Sequence, residues 1–276
     1  MGSEWSLVFF TSFVDLGCGL FVALAINEWF SINPQVRWRG AIAVLVSLAL
    51  GGLSSVLHLG HPERIFGAFS HPTSGIFIES SMIAITGICV LAYIFALKRN
   101  ASHQNLKLIT FIGAIPAVIL AFAVGDSYVM ASRPAWDTLV LPFAYLGSAA
   151  VLGCFAYRIL VVSPSEHLMT QLKLLTQGLL VIQAVLMVAY LVALSNAPYS
   201  DVSRSATQVL MGGFSALFWG GIVIIGLLIP FGLTTLKKES VAPVMSATLG
   251  LVCVFIGAAA FRVLMFNLGS TVWQFF

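Results

Sequence analysis

The chain has 276 residues, 59% of them hydrophobic and only 8% charged, with a mean hydropathy of +1.02. That balance excludes an ordinary soluble globular domain. The net charge of +3 rests on few residues and comes without a basic stripe interleaved with aromatics, which excludes a nucleic-acid surface.

In lipid every backbone polar group must be satisfied internally, and apolar runs continuous over about 20 residues select helices rather than the alternating strands of a barrel. The runs predict an all-α polytopic membrane protein, an eight-transmembrane-helix bundle with helices at 6–30, 40–60, 74–97, 107–131, 139–162, 170–194, 212–235 and 243–267. The intervening segments, such as SINPQVRWR, KRNASHQNLK, VVSPSEHLMT and SNAPYSDVSRSATQ, carry the Pro, Asn, Ser and charged residues that mark turns. None is long enough to fold alone, and no internal repeat is evident, so residues 1–276 read as one membrane domain. No Lys or Arg precedes the first apolar run, unlike a cleaved signal peptide, and the first helix reads as retained. Cys18, Cys89, Cys154 and Cys253 lie within apolar runs at wide spacing, as packing residues rather than cluster or zinc ligands.

Orientation follows from Lys and Arg. The connections after helices 1, 3, 5 and 7 with their flanks hold nine (Arg37, Arg39, Lys98, Arg99, Lys107, Arg158, Lys173, Lys237, Lys238), and those after helices 2, 4 and 6 hold three (Arg64, Arg133, Arg204). Positive-inside bias therefore puts both termini outside, on the periplasmic face of a bacterial inner membrane.

The chemistry gathers around Ser54 to Met82, SSVLHLGHPERIFGAFSHPTSGIFIESSM. His58 sits about two residues from the outer end of helix 2, and Glu79 lies roughly 7 to 8 Å inside helix 3 at 1.5 Å per residue. Asp15, Asp126 and Arg262 fall in the same outer half and can pair only with each other. Ionisable groups inside apolar spans are costly and point to function. A His that titrates near neutrality beside a buried Glu suits a lipid-soluble quinol, which needs an acceptor at each hydroxyl and a base for its protons. The bland alternatives are an interfacial cap for His58, a structural hydrogen bond for Glu79, and an interfacial belt for Tyr128, Arg133 and Trp136. Of the five histidines, His58, His61, His71, His103 and His167, only His58 is predicted within or at the end of a helix, so bis-histidine haem ligation is not expected.

Five segments, EWSLVFFTSFVDLGCGLFVALA, LHLGHPERIF, FIES, SYVMASRPAWDT and GAAAFRVLMFNLG, together resemble the membrane anchor subunits of dimethyl sulfoxide reductases over nearly the whole chain. The resemblance implies a haem-free anchor that oxidises menaquinol and holds an iron–sulfur electron-transfer subunit and a molybdopterin catalytic subunit at the membrane. It places His58 and Glu79 in the menaquinol site and matches Arg64, Tyr128 and Arg262 to further residues of the pattern; His61 and His71 are departures from it. The chain would thus be the non-catalytic, quinol-oxidising part of an anaerobic respiratory oxidoreductase. Two rival readings stand beside it: a proton-coupled secondary transporter, which calls for broken helices and an inverted repeat, and a passive scaffold with no quinol site.

Overall fold

The computed structural model describes residues 5–30, 32–58, 70–161, 165–198, 200–235 and 243–269. Within them nine helices form: α1 (Trp5–Phe30), α2 (Val36–His58), α3 (Gly75–Lys98), α4 (His103–Asp126), α5 (Val140–Leu160), α6 (Glu166–Ser195), α7 (Ser200–Met211), α8 (Ala216–Thr235) and α9 (Pro243–Leu268). Eight of these are long and apolar enough to cross a membrane, all but α7. Both ends of the described chain therefore lie on one face. That face also carries the connections α2–α3, α4–α5 and α6–α8.

α1 is the hub, packing on α2, α4, α5 and α9, and with α5 it is the most enclosed span. The approach of α1 to α5 depends on two glycines: a Cβ on Gly19 would strike the Ala149 carbonyl, and one on Gly153 would strike the Gly19 backbone. In lipid there is little hydrophobic force between helices, so small residues that let backbones close in supply the packing energy. Elsewhere apolar side chains face outward, as Ile88, Leu91 and Phe95 do on α3 and Val181, Val185 and Val188 on α6. Lipid is the solvent for these faces, and their exposure carries no cost.

Helix ends follow local chemistry. Ser74, Ser102 and Ser165 accept N-cap hydrogen bonds from Phe77, Asn105 and Leu168. α3 stops where Asn100 adopts a left-handed φ of 51°, with the Ala101 N–H returning to the Ala96 carbonyl at 3.0 Å. Pro116 and Pro230 are both accommodated inside continuous helices. The first part of α8, Ala216–Leu228, is wound as a π-helix, with the Ile229 N–H reaching back to Ile224.

Three readings of the sequence are corrected. SNAPYSDVSRSATQ is not simply a connection, because α7 forms there and buries Val202, Ala206 and Val209 while Arg204 and Gln208 stay exposed. α4 ends at Asp126 instead of 131, since the chain tightens after the last helical bond, Ser127 N–H to Ala123 O, into Tyr128 N–H to Gly125 O and Val129 N–H to Asp126 O. His103 and His167 lie in the first turns of α4 and α6, so they are helical residues as well as His58. The early end of α4 carries Tyr128 off the helix and toward the start of α3.

Candidate functional site

Glu79 sits four residues into α3, facing the end of α4. Gly75 makes that approach possible, since a Cβ there would lie 2.7 Å from Ser127 Oγ. The Glu79 carboxyl faces Ser127, whose hydroxyl also donates to Ala123 O at 2.8 Å. Here a cavity of about 360 Å³ opens, with Glu79, Ser55, Ser74, Ser80, Ser127 and Tyr128 as its polar and aromatic wall. Leu7, Phe10, Ile76 and Ile83 supply apolar sides. One half-buried acid, several hydroxyls and an aromatic plane in an apolar cleft suit a flat, amphipathic molecule with hydroxyl groups to donate. A larger cleft of about 560 Å³ lies between α1, α4, α5 and α6, but its lining is almost wholly apolar.

Behind Tyr128 an aromatic stair leads to the bundle's deepest charges. Its ring stacks on Tyr145 at 6.0 Å and meets Phe266 and Trp136 edge-on at 5.4 and 5.6 Å. Trp136 is fixed by Nε1 donating to Met265 O at 2.8 Å, and Arg133 lies 4.3 Å over its ring while donating to Gly269 O. Tyr145 lies 4.5 Å under the Arg262 guanidinium. Arg262 and Asp15, both fully buried, form an ion pair through Nη2 and Oδ2. Arg262 Nε also donates to Thr11 Oγ1 at 2.6 Å, and Nη1 to Ala258 O at 3.0 Å.

The structure thus brings Glu79 and Tyr128 into one cavity. Arg262 stands one aromatic layer behind it, bound to Asp15. Asp126 is exposed at the end of α4 and is not part of that pair. His58 closes α2, the helix that lends Ser55 to the cavity wall; the His58 side chain and Arg64 lie outside the described residues. The Trp136 ring and Arg133 are packing elements beneath the site and not part of the cavity lining.

Sequence reasoning missed a second polar centre at the opposite face. Glu28 is fully buried and receives Arg37 Nε and Nη2 at 2.7 and 2.9 Å, and the Tyr93 hydroxyl at 2.8 Å. His103 Nδ1 lies 3.3 Å from the same carboxylate. Four helices are tied there, and Asn27 next door accepts from the Tyr157 hydroxyl at 2.8 Å. The available signal was an acid near the end of an apolar run with a basic residue just past a short turn. Among the described residues, no three His, Cys, Asp or Glu side chains converge as a metal site.

Fold and site define a multi-pass membrane protein whose polar cavity opens at the face shared by both chain ends. The chain belongs to the family of DMSO reductase anchor subunits, whose model matches residues 1–268. It is therefore a membrane anchor that partners the catalytic subunits of a reductase, and in bacteria it resides in the inner membrane. It is also similar to a selenate reductase subunit from Mesobacillus selenatarsenatis, at 24% identity over 309 aligned positions, covering 91% of this chain and 72% of that protein.

Proposed function

We propose that this anchor oxidises menaquinol in the Glu79 cavity and passes the electrons to an iron–sulfur subunit, which supplies a molybdopterin catalytic subunit. The observation that carries the reading is the half-buried carboxyl of Glu79 in an amphipathic cavity beside Tyr128, next to the helix that ends in His58. Oxidation of a quinol to a quinone releases two electrons and two protons, so a site for it needs bases at the hydroxyls. Glu79 accepts one proton and hands it to the near face, and His58 accepts from the other hydroxyl. Tyr128 offers its ring as a platform for the quinol head, and Arg262, through Tyr145, sets a positive charge behind that platform. Arg64 lies on the connection between His58 and Glu79, at the face where the iron–sulfur partner docks. The basic residues favour the periplasm for that face.

The test uses the assembled complex with His58→Ala and Glu79→Gln. Each variant is expected to assemble and to lose most of its oxidation of a menaquinol analogue, while reduction of the terminal acceptor by an artificial donor to the catalytic subunit persists. Parental quinol oxidation in correctly assembled variants overturns the proposal.

A further inference from the structure

Four buried side-chain oxygens without a hydrogen-bond partner among the described residues fall close together in the middle of the bundle: Ser12 Oγ, Asp15 Oδ1, Ser148 Oγ and Gln183 Oε1. Ser12 and Asp15 are one turn apart on α1, and the Ser148 hydroxyl of α5 faces the Asp15 carboxyl. Ser148 and Gln183 then share a cavity of about 20 Å³, lined also by Met187, Ile222, Gly226 and Phe261. Gln183 is oriented by Nε2 donating to Ala144 O at 3.3 Å, so its Oε1 is the free acceptor.

Buried polar groups are almost always satisfied, and a cavity holds one water once its volume reaches about 10–15 Å³ and it offers two or more polar partners. The Ser148–Gln183 cavity meets both conditions.

We propose that the centre of this bundle is a water-binding site, with one molecule held between Ser148 and Gln183. The Asp15–Arg262 pair is then extended by a row of polar groups from α9 through α1 and α5 to α6, with Ser148 facing Asp15 and the water joining Ser148 to Gln183. The row runs across the bundle at mid-depth: Asp15 is ten residues into α1 and Ser148 eight into α5, about 15 and 12 Å from the same face at 1.5 Å per residue. The inference stands on this geometry alone and does not depend on the quinol reading.

Radiolytic hydroxyl-radical footprinting of the full chain in nanodiscs tests it, because radicals form at bound water and mark the nearest reactive side chain. Met187 is only 4% exposed yet lines the cavity, whereas Met211 is 86% exposed. Met187 is expected to be oxidised at a rate approaching that of Met211, and to lose that labelling in Ser148→Ala/Gln183→Leu, whose apolar cavity stays dry, while Met211 is unchanged. An inert Met187 in the parent chain, or equal labelling of Met187 in a folded double variant, overturns the proposal. Should the double variant fail to fold, a high-resolution map of the parent complex decides: density within hydrogen-bond distance of Ser148 Oγ and Gln183 Oε1 supports the site, and its lack refutes it.

Discussion

The Asp15–Arg262 pair makes the sharpest stability prediction. Asp15→Leu removes the carboxylate and leaves the fully buried Arg262 guanidinium with the neutral oxygens of Thr11 and Ala258 and the Tyr145 ring. Arg262→Met leaves the equally buried Asp15 carboxylate without its cation. Breaking a buried pair from either side costs about 3–5 kcal/mol, because the remaining charge is desolvated and uncompensated. The double variant Asp15→Leu/Arg262→Met removes both charges and is expected to lie within about 1–2 kcal/mol of the parent, since apolar replacements of a buried pair are often neutral. The cycle thus yields several kcal/mol of coupling, where independent sites agree with additivity within about 0.5 kcal/mol. Reversible unfolding in mixed micelles, followed by helical circular dichroism, measures all four corners. A double variant as unstable as the sum of the two singles would show that the charges do not support one another.

Other expectations concern the rest of the polar framework. Arg37→Met strands the buried Glu28 and should cost about 3–5 kcal/mol in the same unfolding measurement. Tyr93→Phe removes a single bond to that carboxylate and should cost about 1.5–3 kcal/mol. Gly153→Leu is expected to abolish the folded bundle, seen as loss of monodisperse protein on gel filtration, because no rotamer removes the clash with the Gly19 backbone. Trp136→Phe keeps an aromatic ring under Arg133 but leaves Met265 O without its donor. It should cost about 1–3 kcal/mol and raise the mobility of the Tyr128 wall, measured by hydrogen exchange of residues 126–138.

Much of the architecture was legible because lipid imposes a simple rule on sequence. A run long and apolar enough to span must be a helix, and all eight predicted runs are. The shorter α7 escaped because it lies along the bundle's edge, where a 12-residue amphipathic segment with Ser, Asp and Arg looks like a turn. The end of α4 was misread for a related reason: the apolar run continues past Asp126 into Tyr128, Val129 and Met130, and only the tightening of the backbone at Ser127 shows where the helix stops.

The costly residues were visible in the sequence, but their partners were not. An Asp in α1, a Glu in α3 and an Arg in the last helix each announce an expense, because an ion in an apolar span must be compensated whatever the fold. Which groups compensate is a matter of helix contacts. Asp15 and Arg262 are 247 positions apart and meet because α9 packs on α1. Glu79 meets Tyr128 because a glycine lets α3 close on the end of α4, and Glu28 draws Arg37, Tyr93 and His103 from three other helices. The amino-acid sequence determined that these charges must be matched inside a helical membrane bundle; the tertiary packing alone decided that Asp15 would be matched by Arg262 and that Glu79 would be left facing a cavity.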